Sequence, residues 1–385
     1  MSWPMVKIKD VAKVVTGKTP STSEPANFGG HIPFITPAEL GEDKYLGVPK
    51  VTLSEQGAAK LKLVPEKSVL VCCIGSLGKI GIAQQTVATN QQINTVCFDT
   101  NLVIPEYGYY ALARLRPKLI AMAPATTVAI VSKSKFEELE IPLPSLAEQK
   151  RIAAILDKAD AIRRKRQQAI QLADEFLRAV FLEMFGDPVT NPKGWEVKTL
   201  SELVDKLGDG LHGTPVYEQT GGYYFINGNN LRNGRIQINE NVKKVSETEY
   251  VKHKKELNIN TMFVSINGTI GNVAFYRNEP VVLGKSVCYF NIADGVIDKE
   301  YLFYLMSSEY FIRYATSKAT GSTIKNVSLK TMREFPVPIP DKSAQQWFVK
   351  YIEIVKSLNC MEDESVSYSD SLFNSLSQKA FSGQL

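Results

Sequence analysis

The 385-residue chain has only three histidines, His31, His212 and His253, and they are scattered. Its five cysteines form no Cys-x-x-Cys pair and no cluster with histidine, so the spacing of a zinc site is missing. No run of about 18 apolar residues occurs, and no membrane span is expected. The opening MSWPMVKIKD mixes charge and hydrophobe within a few positions, unlike a signal peptide. A GxSxG elbow is absent, and no GxGxxG follows a strand-like run. Gly17-Lys18-Thr19 and Gly284-Lys285-Ser286 imitate the end of a P-loop, but Ala12 and Glu279 stand where its first glycine belongs. Asn191-Pro192-Lys193-Gly194 lacks the Asn/Asp-Pro-Pro-aromatic motif of amino-methyltransferases and reads as a turn. These absences favour a binding protein, leaving open an active site assembled from residues far apart in sequence.

What is present is an ordinary globular composition, 44% apolar and 22% charged, sufficient for two or three cores. Net charge is +5, from 45 basic and 40 acidic residues, which permits nucleic-acid binding without requiring it. Adjacent Cys72 and Cys73 sit in SVLVCCIG, a buried-strand pattern. They read as reduced thiols in a cytoplasmic protein.

The chain repeats itself once. WPMVKIKDVAKVVTGKTP from Trp3 answers WEVKTLSELVDKLGDGLHGTP from Trp195. HIPFITPAEL answers YYFINGNNL, and Gly75-Ser76-Leu77-Gly78 answers Gly268-Thr269-Ile270-Gly271. TTVAIVSKSKFEELEIPLP, from Thr126-Thr127, answers STIKNVSLKTMREFPVPIP. Four blocks in one order establish a tandem duplication. Each copy is strand-rich, then reaches an apolar-Pro-apolar-Pro block. That block must be extended, because each proline disfavours the helical region for its predecessor.

A long helical stretch closes each copy. Ser145 with Glu148 forms a capping-box start. From there Ile152, Ile155, Ala159, Ile162, Arg166, Ala169, Ala173, Phe176 and Val180 alternate spacings of three and four, the coiled-coil period. Gly186 and Pro188 stop the helix, whose length is about 58 Å at 1.5 Å per residue. In the second stretch Trp347, Phe348, Tyr351, Ile352, Val355 and Leu358 give an apolar face. The pattern weakens at an acidic, Ser-rich run and recovers at Leu372, Phe373, Leu376 and Phe381. The predicted fold class is α+β: two mixed, strand-rich domains in tandem repeat, separated by two long antiparallel helices forming a coiled coil. The alternative is two separate surface helices.

This plan resembles the specificity (S) subunit of Type I restriction–modification systems over the whole chain. The marks are the Trp…Val-Lys start of each copy, the Gly-[Ser/Thr]-[Leu/Ile]-Gly block and the SLAEQKRI helix entry. FGDP closing the first half and the terminal KAFSGQL complete them. The Glu148-Gln149 entry becomes Ala344-Gln345-Gln346 in the second copy. The resemblance implies target-recognition domains at 1–144 and 187–340 and spacer helices at 145–186 and 341–385. Each domain would read one half of a split, asymmetric double-stranded DNA target. The helices would set the half-site spacing and dock two methyltransferase subunits. Restriction subunits would join to cut unmodified DNA. The chain would be cytoplasmic and do no chemistry; S-adenosylmethionine, ATP and magnesium would belong to its partners. Competing readings are a free-standing nuclease or modifying enzyme, and a scaffold with no DNA role.

Phosphates call for Lys, Arg, hydroxyls or amides, and base edges for Arg, Lys, Asn, Gln or Ser on loops. The first module offers Lys18, Thr19, Ser76, Lys79, Asn90, Gln91, Gln92, Lys133 and Lys135. The second offers His212, Thr214, Asn227, Asn229, Asn230, Arg232, Arg235, Thr269, Asn272, Lys285, Ser322, Thr323, Lys325 and Asn326. Asn90-Gln91-Gln92 either reads adenine or forms a polar turn at a strand edge. INGNNLRNGR is either a reading loop or a hairpin with solvated ends, and Lys133 and Lys135 are equally the ends of a helix. The glycines of each GxxG block serve either a tight turn, the favoured reading, or direct readout. Partner contacts are expected at Glu148, Gln149, Gln345 and Gln346, and at Arg163, Arg164 and Arg166 of the basic run, which otherwise faces phosphates or the acidic residues of the second helix around Glu362.

Overall fold

The computed structural model describes residues 3–41, 43–123, 128–321, 325–359 and 363–385, except the side chains of 358–359 and 363–368. Thr126, Thr127, Ser322 and Thr323 lie outside the described residues. The chain forms two compact units, Met1–Gln167 with Asp363–Leu385, and Gln168–Glu362.

In the first unit, Val69–Cys72 is buried at every position, the signature of a strand covered on both faces. It lies in an antiparallel sheet ordered Ala12–Thr16, Ile93–Phe98, Val69–Cys72, Ile80–Ile82. A three-stranded sheet joins Val51–Leu53, Phe28–Ile35 and Ala88–Thr89, the last pair parallel. Met5–Lys7 pairs with Glu140–Pro142, so the proline block is extended as its sequence requires.

The second unit repeats this topology strand for strand. Its antiparallel sheet runs Val204–Asp209, Val287–Ile292, Thr261–Ser265, Val273–Phe275. Its mixed sheet joins Lys244–Val245, Tyr223–Ile226 and Val281–Leu283, and Glu196–Thr199 pairs with Pro336–Ile339. One element is additional. The hairpin Leu231–Arg232/Arg235–Ile236 turns on Asn233 and Gly234, both at positive φ (50° and 74°), the requirement of a two-residue Asn-Gly turn.

The buried polar residues are duplicated too. The Tyr107 hydroxyl donates to the Pro142 carbonyl at 2.7 Å, and Tyr301 to Pro338 at 2.8 Å. The indole of Trp3 donates to the Ala380 carbonyl at 2.9 Å, and that of Trp195 to Phe185 at 3.0 Å. The Gln149 side chain accepts from the Ile104 amide and donates to the Leu102 and Pro144 carbonyls. Gln345 accepts from the Asp298 amide and donates to the Pro340 carbonyl.

The long helix spans Leu146–Phe185, 40 residues. Its buried face differs from the predicted seam. The rows are Ile152, Leu156, Asp160 and then Ala173, Leu177, Phe181, Phe185, spaced by four. Ile162 and Phe176 are half exposed or more. At about 100° per residue a four-residue step advances about 40° around the axis, so these rows are the oblique i±4 ridges of ridges-into-grooves packing, whereas the predicted seam assumed a coiled-coil stripe. In the second copy Trp347 and Tyr351 are exposed, and Phe348, Ile352 and Val355 are buried. The described helical residues of the second stretch are Lys342–Asn359 and Asp363–Ser382, which belong to different units. In the first unit the start of the long helix runs antiparallel to the terminal one. Arg151 donates to the Leu385 carbonyl, while Arg163 lies 4.8 Å over the Phe373 ring and 3.9 Å from Asp370. In the second unit the rings of Phe181 and Phe185 meet Phe348 at 5.5 Å.

Candidate nucleic-acid interface

At one end of its four-stranded sheet, each unit gathers four loops on one hydrogen-bonded frame. In the first unit Gly17 N donates to Ile93 O (3.1 Å), Lys18 N to Thr89 O (2.9 Å) and Cys73 N to Gln92 O (2.8 Å). Gly75 N donates to Ala129 O (2.9 Å) and Val131 N to Cys73 O (2.9 Å). In the second, Gly210 N donates to Val287 O (3.1 Å), Leu211 N to Leu283 O (2.7 Å) and Ile266 N to Ser286 O (2.9 Å). Gly268 N donates to Lys325 O (3.3 Å) and Val327 N to Ile266 O (2.8 Å). A Cβ on Gly17 would overlap Thr89 and Asn90, and one on Gly210 would overlap Leu283 and Gly284, so both positions demand glycine. Gly75, Gly78, Gly268 and Gly271 all have positive φ, as expected of turn glycines.

The frame aligns the copies position by position. Lys18 corresponds to Leu211, Thr19 to His212, Gln91 to Lys285, Ser76 to Thr269 and Ile130 to Asn326. The support is common and the exposed side chains differ. In the second unit these loops line a groove of about 450 Å³ that includes Asp209, His212, Asn267, Lys285, Asn326 and Ser328. Asp209, Asn267 and Ser328 were not anticipated. Asn267 immediately precedes the GTIG block, the one signal that could have pointed to it.

The predicted residues separate into exposed groups and groups consumed by the frame. Lys18, Ser76, Gln91, Lys133 and Lys135 are exposed, and Thr19 is partly exposed, its hydroxyl donating to Gln91 Oε1 at 2.6 Å. Lys133 also pairs with Glu137 at 3.4 Å, within a helix of one turn capped by Ser132. Asn90 and Gln92 depart from the reading role. Asn90 is 7% exposed and donates to Gln92 Oε1, and Gln92 donates to Ile74 O. A buried amide that has spent its hydrogen bonds in its own turn has none to offer a base.

In the second unit Thr214, Asn229, Arg232, Thr269, Lys285, Lys325 and Asn326 are exposed. His212 is exposed and its Nε2 lies 2.6 Å from Asp209 Oδ2. Arg232 and Arg235 face each other across the hairpin, Arg235 half-buried. Asn227 and Asn230 depart from the reading role. They cap a single turn, with the Asn227 amide donating to Asn230 Oδ1 and Ser286 Oγ donating to Asn227 Oδ1. Asn272 donates to Gly228 O at 3.2 Å and Lys79, at the matching position, to Pro37 O at 3.3 Å, so both brace equivalent turns.

Two of the expected partner contacts are overturned by burial. Gln149 and Gln345 are 0% and 3% exposed and fully engaged inside their own units. Gln346 is exposed, and Glu148 is partly so and paired with Arg151 at 2.7 Å. Arg163 and Arg164 both bind Asp160 at 2.6 Å, and Arg164 also binds Asp43. Arg166 is exposed. Next to this network the nearly buried Lys44 binds Asp157, with its ammonium 4.9 Å from the Tyr110 ring centre. Among the described residues no group of His, Cys, Asp or Glu could hold a metal ion, and no helix is long and apolar enough to cross a membrane.

A family model described as the Type I restriction modification DNA specificity domain matches twice, at residues 2–172 and 192–364. The chain is 29% identical over 223 residues to the Type I restriction enzyme MjaIX specificity subunit of Methanocaldococcus jannaschii. That match covers 52% of this chain and spans about half, 51%, of the relative. It is 25% identical over 382 residues to the MjaVIII specificity subunit of the same organism, covering 92% of this chain and 86% of that one. The crystal structure of a Type I restriction–modification S subunit from M. genitalium shares the fold. Its TM-score is 0.58 at 16% identity, over 98% of this chain and 96% of that one.

Proposed function

Because the chain belongs to the family of the Type I restriction modification DNA specificity domain, we propose that it is the DNA-recognition subunit of a Type I restriction–modification complex. Each module reads one half of a two-part duplex target. The observation that carries this reading is the paired loop frame, which holds two different sets of exposed side chains on one backbone scaffold. Backbone contacts to phosphate fix register, and side chains at base edges supply sequence. Two unlike sets therefore read two unlike half-sites, and the target is not a palindrome.

The long helix contributes residues to both units, and its length is proposed to fix the distance between half-sites. Methyltransferase subunits dock on the apolar residues the helices leave exposed. In the second unit these are Phe176, Leu182, Trp347, Tyr351 and Ile354, and in the first Ile162 and Leu372. Cofactor chemistry with S-adenosylmethionine, ATP and magnesium belongs to those partners and to the restriction subunits, in the cytoplasm. Methylome sequencing of a host carrying the complete system tests the reading. The expected outcome is one two-part asymmetric methylated motif that vanishes when this chain is deleted. Methylation or cleavage of DNA by the purified chain alone would favour a free-standing enzyme instead.

A further inference from the structure

The frame alignment places Gln91 of the first unit and Lys285 of the second at one position, beside Thr19 and His212 respectively. Thr19 Oγ1 donates to Gln91 Oε1 at 2.6 Å, which fixes the orientation of an otherwise flippable amide. Gln91 then offers one remaining lone pair on Oε1 and two hydrogens on Nε2, a neighbouring acceptor and donor. That pair matches adenine, whose N6 donates and N7 accepts in the major groove. Lys285 is exposed and its ammonium carries three donors and no acceptor. It matches guanine, which presents two acceptors, O6 and N7, and it mismatches the donor at adenine N6. In the same groove the Asp209 carboxylate holds His212 at 2.6 Å.

We propose that Gln91, oriented by Thr19, reads an adenine in the first module's half-site, and that Lys285, at the matching frame position, reads a guanine in the second module's half-site. The proposal rests on the reading of these loop clusters as duplex-binding faces and names the bases they select. Asn90 and Gln92 hold the turn from below, and Thr19 is a positioning residue.

The test uses the full-length chain assembled with its modification subunits and a randomised duplex library, with the selected motif read by sequencing. The wild-type complex should enrich adenine at one position of one half-site and guanine at one position of the other. Gln91→Lys should change a single base pair of the first half-site from adenine toward guanine. Lys285→Gln should change a single base pair of the second from guanine toward adenine. Each preference should shift by roughly tenfold, and the other half-site should stay as it was. Lys285→Arg should keep guanine, and 7-deazaguanine at that position should weaken binding of the wild type but not of Lys285→Gln. Thr19→Val should erode the adenine preference at the one position and leave every other base intact. A scaffold role alone would not produce that pattern. The altered side chains are exposed or partly so, and thermal unfolding should be unchanged. Unaltered motifs with uniformly weaker, less salt-dependent binding would make both residues phosphate contacts and overturn the assignment, while the proposed function stood. No enriched motif from the wild-type complex would overturn both.

Discussion

A glutamine beneath each module does the work of a missing backbone partner. Gln149 satisfies one amide and two carbonyls where chain segments meet, and Gln345 repeats the device. Gln149→Leu should therefore cost at least about 2 kcal/mol, because the stranded buried groups pay full desolvation. Urea unfolding of the first unit, followed by hydrogen exchange, measures it. Thiol chemistry gives a second check. Burial pushes the Cys73 thiol up to about 12 and raises Cys72 and Cys288 as well. At pH 8 all three stay protonated, so an alkylating reagent should leave them unmodified in the native protein and label them in urea. Which amides face inward was hidden in the sequence. Asn90, Gln91 and Gln92 are alike in composition, and only the frame shows that the middle one points out. Arg232 and Arg235, by contrast, were legible as the shoulders of an Asn-Gly turn.

Among elements, the paired sheets and the extended proline blocks were legible because apolar runs, prolines and their order recur in both copies. The helix face was not. Apolar residues occupy more than one side of Leu146–Phe185, and a three-four alternation can be traced through them without being the buried row. Residues 167–169, 171 and 172 are exposed, so an insertion there removes nothing from either core. Four extra residues, one helical turn, between Gln167 and Leu172 should change the preferred spacer and leave both half-site sequences intact. The selected motifs of wild type and insertion variant decide it. Altered half-sites would end the idea of a ruler.

For the molecule as a whole, the duplication was visible in sequence, but its partition was not. The predicted segments kept each spacer helix apart from the modules. In the structure the terminal helix, with buried Ala380 and Phe381, completes the first unit's core, and the end of the long helix completes the second's. Sequence proximity misled here, because core membership follows contact and not order along the chain. Removing Asp363–Leu385 should strip protection from amides of the first unit and spare those of the second. Hydrogen exchange with peptide-level resolution separates the two outcomes.

The bond from Trp3 to Ala380 joins residues at the two ends of the chain. During translation, the body encoded later is contiguous, from Gln168 to Glu362. The body begun first waits for Asp363–Leu385, so it spends the synthesis of the other body with an apolar surface uncovered. Chaperone dependence should therefore fall on the earlier half of the message's product.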